Sequence, residues 1–256
     1  MRDIKYNRMV RVITSQRKMF KKSRKVGPIQ RRTGRVVPYS KPSLRVPGIR
    51  RPDFGFPDRM ITMLRYVDNL ELTANAGVVA ANVFRLNSCF DPDLSGVGHQ
   101  PMYFDQFAGA VGSGPYSRYR VVSAKINVTF SINSPPSLGI ANWGPVVVGL
   151  QTSASSGLYG TTLSALCEAS NSTWSYLTDK SGGNNVKTLS ATYYPRRDLG
   201  LGVDDDTITA SYNANPSQVF HAIPWKVDPF GASHVSALIE IVYTVEFFDR
   251  NEVAQS

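Results

Sequence analysis

The sequence predicts an all-β protein: a single eight-stranded jelly-roll β-sandwich with long loops, preceded by a disordered basic N-terminal arm. Three observations indicate this architecture: segments in which apolar and polar residues alternate, long connections rich in Gly, Ser, Pro and Asn, and an uneven distribution of charge. Alternation with period two gives a strand one buried and one polar face. The 256 residues are enough for one β domain of roughly 200 residues and a tail.

The clearest alternation lies at residues 121–133, where apolar side chains from Val122 to Ile132 share one face, and at residues 235–248, where Ala237 to Phe247 do. Six further strands are predicted at residues 59–67, 78–86, 146–152, 186–194, 207–212 and 218–225. Short helices are predicted within residues 104–110 and 162–169, and long connections at 87–117, 153–173 and 196–206. Eight strands joined by such loops fit a double-sheet jelly roll, a fold that by itself does not select a function.

The charge divides the chain into two parts. Of the 29 Lys and Arg residues, 17 precede Asp53, and Asp3 is the one acid among them. The arm, residues 1–52, therefore carries +16 and the jelly-roll domain, residues 53–256, carries −6, although the whole chain has a net charge of +10. Mutual repulsion keeps such an arm open, and the Pro and Gly residues from Gly27 onward prevent a long helix.

A cationic arm of this kind is suited to neutralising nucleic-acid phosphates, because each bound phosphate releases counterions. The residues predicted to bind nucleic acid are Arg8, Arg11, Arg17, Lys18, Lys21, Lys22, Arg24, Lys25, Arg31, Arg32, Arg35, Lys41, Arg45, Arg50 and Arg51. A solubilising tail would mix both signs of charge, and a mitochondrial presequence would be amphipathic and Ser-rich. The cluster at residues 18–25 is also typical of a nuclear localisation signal.

The sequence offers no constellation typical of an enzyme. Its three histidines, His99, His221 and His234, are too scattered for a metal-ligand set, and no GxSxG nucleophile motif is present. The glycine-rich residues 109–114 lack the GK[ST] ending of a phosphate-binding loop. We therefore predict neither catalysis nor a cofactor nor a metal.

Two acidic loops could bind a cation, and two cysteines could be reduced or oxidised. Asp91 and Asp93, like the three acids at 204–206, could hold a divalent cation, but a role in turns or as local charge is favoured. Cys89 and Cys167 are expected to be reduced thiols in or near the core. With no run of 18 apolar residues and no secretory signal, membrane insertion and export are not expected.

An ordered set of motifs resembles the capsid proteins of circular, Rep-encoding single-stranded DNA viruses, the circovirus-like group. The motifs are Phe56-Pro-Asp-Arg-Met60, Leu86-Asn-Ser-Cys-Phe-Asp-Pro-Asp-Leu-Ser-Gly-Val-Gly-His-Gln-Pro101, Phe104-Asp-Gln106 and Tyr119-Arg-Val-Val122. Residues 87–106 are the specific part. The resemblance covers the arm and the first half of the domain, while the second half agrees only in strand pattern.

The resemblance implies a virion protein that self-associates into a small icosahedral shell, T=1, with the arm inside against circular single-stranded DNA. Assembly in the host nucleus would involve the nuclear import machinery, and a cell receptor would be a further partner. Asp91, Asp93, His99, Gln100 and Tyr103 are candidates for a subunit interface, and packing within their own loop is the equal alternative. If His99 lies at an interface, particle stability should depend on pH.

Two other functions stay open at this point. Capsids of small RNA viruses also pair a basic arm with a jelly roll, and phosphate neutralisation does not distinguish RNA from DNA. A cellular nucleic-acid-binding or carbohydrate-binding β-sandwich with a basic extension would instead be a monomer or a small oligomer.

Overall fold

The structure is a computed structural model, and it describes residues 56–75, 77–111, 113–132, 145–178, 184–229 and 234–251. These belong to one compact unit, Arg51–Ser256. The strands are β1 (Met60–Thr73), β2 (Val79–Ala81), β3 (Phe84–Arg85), β4 (Tyr116–Ile132), β5 (Val146–Ser153), β6 (Ser172–Leu177), β7 (Val186–Tyr193), β8 (Thr209–Ser211), β9 (His221–Val227) and β10 (His234–Arg250). The helices are α1 (Phe104–Phe107), α2 (Leu163–Glu168) and α3 (Pro195–Asp198).

The strands form two antiparallel sheets. The first has the order β1-β10-β4-β7, with β8 beside the start of β4, and the second has the order β2-β9-β5-β6, with β3 beside β9. With β2 and β3 counted as one interrupted strand and the short β8 set aside, the chain visits the sheets in the order 1, 2, 1, 2, 2, 1, 2, 1. This is the strand order of a double-sheet jelly roll, which confirms the predicted fold class.

The core lies between the two sheets, and β10 supplies much of it. This strand pairs with β1 on one side and with β4 on the other. Its inward side chains alternate from Val235 to Phe247 and are completely buried, and they include Tyr243. The Tyr243 hydroxyl donates to the main-chain oxygen of Arg85 at 2.7 Å, so this buried ring keeps its polar end satisfied.

A β-bulge changes the phase of β4. Thr244 of β10 lies opposite Ser123, but Val245 lies opposite Val121, so Val122 is the extra residue. Val121 is therefore buried and Val122 is only half-buried, which corrects the predicted inward face that began at Val122. Alternation read from the sequence cannot show where one extra residue interrupts it.

Other boundaries also differ from the predictions. Strand β6 was not predicted, and its first two residues were placed in the connection at 153–173. The predicted strand at 207–212 is only the three-residue β8 after a 3-10 turn. The strand predicted at 78–86 divides into β2 and β3, while the one predicted at 59–67 continues to Thr73. Helix α3 was not predicted.

The outer face of the second sheet is covered as well. The connection at 154–171, which includes α2, packs on this face through Leu166. Leu166 forms a second apolar cluster with Val147 of β5 and with Trp225 and Val227 of β9. The Trp225 ring lies directly over Gly149 of the neighbouring strand. Burial on both faces explains why every residue of β9 is buried.

Gly149→Ala should lower the free energy of unfolding by about 1–3 kcal/mol, because the new methyl group would overlap the Trp225 ring. Urea denaturation of the purified protein measures this. Gly202→Ala is the matched control, since a methyl group there meets no atom within 4 Å. Equal stabilities of the two variants would contradict the packing described here.

Candidate functional site

The predicted nucleic-acid-binding residues, from Arg8 to Arg51, lie outside the described residues. The predicted interface residues Asp91, Asp93, His99, Gln100 and Tyr103 all lie in the described connection between β3 and α1.

Arg85 forms hydrogen bonds within the subunit to both Asp91 and Asp93 of this loop. Its Nη1 atom donates to Oδ2 of Asp91 at 2.5 Å and to the main-chain oxygens of Asp91 at 2.7 Å and of Asp93 at 3.3 Å. Asp93 is buried, and its Oδ1 accepts from the main-chain nitrogen of Ser95 at 2.9 Å. Both carboxylates therefore stabilise a turn inside the loop, the role that the sequence favoured over cation binding.

His99 lies against β1. Its ring is 4.8 Å from the ring of Tyr66, with Nε2 at 3.0 Å from the main-chain oxygen of Val67 and Nδ1 at 2.7 Å from that of Gln100. Both partners are main-chain oxygens of the same subunit, so the ring of His99 is already engaged in contacts within its own loop and β1. The subunit-interface role predicted for Asp91, Asp93, His99, Gln100 and Tyr103 stays a prediction.

The same loop covers part of the free edge of β1. The main-chain nitrogen of Met102 donates to the oxygen of Arg65 at 3.4 Å, two positions before the Val67 oxygen that faces His99. Covering an edge strand prevents unspecific strand pairing. The loop leaves Val97, Met102 and Tyr103 exposed, and Tyr103 has a positive φ of 73°.

The beginning of the loop is fixed by buried polar groups. Asn87 donates through Nδ2 to the main-chain oxygen of Gln218 at 2.8 Å and accepts from the nitrogen of Phe220 at 2.9 Å. Ser88 donates to Oδ1 of Asn215 at 2.6 Å and lies 3.1 Å from the hydroxyl of Tyr119. The specific part of the sequence motif thus begins by tying its loop to the segment before β9.

A cluster of arginines that the sequence analysis missed lies on the outer face of the first sheet. The guanidinium groups of Arg59, Arg118 and Arg120 lie 5.9, 5.6 and 5.3 Å from the centre of the Phe248 ring, a distance at which cation–π attraction acts. Arg120 also donates through Nε to Glu246 at 2.7 Å. The cluster joins residues from β4, β10 and the segment before β1, which no local sequence pattern could reveal.

The acidic loop at 204–206 is bound to this cluster. Asp204 lies 2.7 Å from Arg120, and Asp206 lies 3.7 Å from Arg118. Hydrogen bonds from the hydroxyl and the main-chain nitrogen of Thr207 lower the pKa of Asp205. The three acids act as local charge and as a turn, and within the described ranges no group of three or more His, Cys, Asp or Glu side chains could hold a metal ion.

Both described cysteines are free thiols, Cys89 buried and Cys167 half-buried, as predicted. Burial raises the pKa of both thiols. Glycines 109 and 114 lie against each other in a turn, and their oxygens accept from Nδ2 of Asn251 at 2.9 and 2.7 Å. None of the described helices is long and apolar enough to cross a membrane.

His221 is buried at the foot of the loop, near Arg85. Burial and the charge of Arg85 lower its pKa, although hydrogen bonds with the main chain of residues 153 and 154 act in the opposite direction. Its Nδ1 has no hydrogen-bond partner among the described residues. A proton added here would be buried beside an existing positive charge.

Comparisons with known proteins give structural neighbours only. No model of a known protein family matches the sequence, and no curated protein matches it. A structure of Desmodium yellow mottle tymovirus is 14% identical over 85% of this chain and 99% of its own, with a TM-score of 0.38. A 60-mer of the BFDV capsid protein is 12% identical over 78% of this chain and 98% of its own, with a TM-score of 0.41. A structure of Macrobrachium rosenbergii nodavirus is 11% identical over 87% of this chain and 64% of its own, with a TM-score of 0.37.

Arg120→Met should lower the free energy of unfolding by roughly 1.5–3 kcal/mol, since it removes the 2.7 Å charge-assisted hydrogen bond to the buried carboxylate of Glu246 and leaves that group only the 3.3 Å contact with the more exposed Arg59. Chemical denaturation measures the loss. The double variant Arg120→Met, Glu246→Leu removes both charges and should recover much of the stability. A double variant that loses the sum of the two single effects would show that the pair is not coupled.

His221 should make the domain less stable as the pH falls. Because its pKa is lower in the folded protein than the ordinary value of about 6.5, the unfolded chain binds more protons below that pH. The wild type should therefore lose more stability between pH 7.5 and 5.5 than His221→Gln does, measured by urea denaturation at both pH values. Parallel losses in the two proteins would exclude His221 as the source.

Proposed function

We propose that this chain is a viral capsid protein that self-assembles into a small icosahedral T=1 shell and packages circular single-stranded DNA through residues 1–52. The observation that carries the proposal is the charge division: 17 basic residues and one acid precede Asp53, and a jelly roll of opposite net charge follows. A net charge of +16 on the arm and of −6 on the domain favours polyanion binding by the arm alone. We assign shell formation to the domain.

The domain suits repeated packing in a shell. Its two sheets enclose one continuous core, and a second apolar cluster covers the outer face of the second sheet. The connection at 87–117, which holds the predicted interface residues, is fixed by internal hydrogen bonds, as Asn87 and Arg85 show. Preformed loops lose little conformational entropy when they enter an interface.

The choice of DNA follows from the resemblance at residues 87–106, because Lys and Arg neutralise the phosphates of RNA equally well. The same resemblance supports assembly in the nucleus, for which the basic cluster at residues 18–25 would act as the import signal. A capsid protein of a small RNA virus is the second candidate.

Electron microscopy of the purified protein tests the proposal. Uniform spherical particles are expected, and nuclease-protected nucleic acid extracted from them should be destroyed by DNase and resist RNase. Protected RNA would replace DNA in the proposal. A monomer or small oligomer that forms no particles would contradict the capsid function and favour a cellular β-sandwich module.

The role of the arm is tested by the salt dependence of binding to a single-stranded oligonucleotide. The triple variant Lys21→Gln, Lys22→Gln, Lys25→Gln should flatten the slope of log K against log salt by about two units, since each lost phosphate contact removes about 0.7 on a single strand. The matched control Arg65→Gln, Lys125→Gln, Arg196→Gln removes three charges from the domain and should leave the slope unchanged. A larger change in the control would assign binding to the domain.

A further inference from the structure

Three side chains on neighbouring strands form a row across the outer face of the second sheet. His221 of β9 lies opposite Arg85 of β3 on one side and opposite Ser153 of β5 on the other. Directly opposite residues project from the same face of a sheet, and alternation along β5 places Ser153 on the same face as Val147 of the outer apolar cluster. Both His221 and Ser153 are buried, so water does not reach the middle of the row.

The imidazole of His221 is poorly placed to carry a proton. Its Nδ1 has no hydrogen-bond partner among the described residues, and the positive charge of Arg85 acts on the ring from the next strand. The other titratable groups around the row are Asp91 and Asp93, to which Arg85 donates, and Tyr159, whose hydroxyl lies 3.4 Å from that of the serine. A protonated His221 would therefore place two positive charges side by side in a buried position, which is costly.

Arg85 also holds the loop after β3, so its position links His221 to that loop. Strand β3 has only two residues, and among the described strands it pairs only with β9. The main-chain nitrogen of Arg85 donates to the oxygen of Pro92 at 2.7 Å, and Asn87 accepts from the nitrogen of Phe220, the residue before His221. A short edge strand with its loop is the kind of segment that opens locally while the domain stays folded.

We infer that His221 and Arg85 form an acid-sensitive switch, in which a proton on His221 displaces Arg85 and opens β3 and residues 87–98 while the two sheets stay folded. The sign follows from the proton balance. The pKa of His221 is lowered in the closed form and returns towards its ordinary value when water reaches the ring. The open form therefore binds more protons below about pH 6.5, and acid favours opening. The inference concerns the single chain and does not depend on the proposed function.

Cys89 is a built-in reporter of this opening. Its side chain is completely buried in the main core, and the main-chain nitrogen of the next residue, Phe90, donates to the hydroxyl of Tyr119 at 3.3 Å. The chain has two cysteines, so Cys167→Ser leaves Cys89 as the sole thiol. Dithiodipyridine exchanges with an accessible thiol: a mixed disulfide forms, and thiopyridone leaves and is measured by its absorbance. The rate is divided by that of the same protein unfolded in urea at the same pH, which removes the pH dependence of the exchange itself.

His221→Gln tests the switch in the Cys167→Ser parent. Between pH 7.5 and 5.5 the normalised labelling rate of Cys89 in the parent should rise severalfold, with a limit of about tenfold for one proton that binds with a pKa of about 6.5. His221→Gln has no titratable group at this position and should show no rise, and His221→Asn repeats the test with a shorter amide. Equal rises in the parent and in both variants would overturn the switch.

Two other histidines provide matched controls. His99→Gln changes the histidine of the same loop, and His234→Gln changes one that lies 2.8 Å from Glu71. Both variants should keep the rise, and its loss in His99→Gln alone would assign the acid response to the contact with β1 instead. Arg85→Gln should speed labelling at both pH values and reduce their ratio, because it removes the anchor of the loop and the charge beside His221.

Urea separates opening of the loop from unfolding of the domain. Local opening exposes little surface, so the labelling rate at pH 5.5 should depend on urea much less than global unfolding, measured by circular dichroism, does. An equal dependence would show that the proton unfolds the whole domain and would overturn the switch. Circular dichroism also checks that each variant is folded, and sedimentation checks that parent and variants are compared in the same state of association. An absence of particles would contradict the proposed capsid function without affecting this test.

Discussion

The pairing of β10 with β1 and β4 is the constraint on which the rest of the structure depends. The 17 residues of β10 fix the register of both neighbours. A shift of one position would turn Tyr243 and the other inward side chains to solvent. The bulge at Val122 is part of the same constraint: on its N-terminal side, Val121 and Tyr119 face the core, while Arg120 reaches Glu246 on the outer face. The arginine cluster around Phe248 exists because this one extra residue sets the phase.

The loop after β3 shows how a motif can be specific and still serve the fold. Asp91, Asp93 and His99 are the polar residues most suggestive of an intermolecular contact, yet each has its partners within the subunit. What remains exposed there is apolar, notably Met102 and Tyr103. Polar groups that are already satisfied can shape an interface without contributing much of its affinity, and the exposed apolar residues can supply that affinity.

The sequence allowed the fold to be predicted wherever one face of a strand is buried. Alternation revealed β4 and β10, but it failed for β6, whose two aromatic residues are exposed although the strand is paired. The interruption between β2 and β3 could not be predicted from the sequence either. At this point Asn82 lies 3.5 Å from the carboxylate of Asp93, which belongs to the following loop. The contacts of His99 with Tyr66 and Val67, and of three arginines with Phe248, join residues far apart in the chain. Local sequence patterns carry no information on contacts between residues that are distant in the chain.

The proposed functions rest on different physical forces, and this separates them. The proposed phosphate binding by the arm is electrostatic and weakens as salt rises. Each counterion released into a more concentrated salt solution gains less entropy. Any contact that buries exposed apolar side chains such as Met63 and Met102 would respond differently, because salt screens apolar contacts little and excluded salts such as sulfate strengthen them. In the proposed capsid, contacts between copies of the domain and contacts of the arm with nucleic acid would therefore use different residues and respond differently to salt.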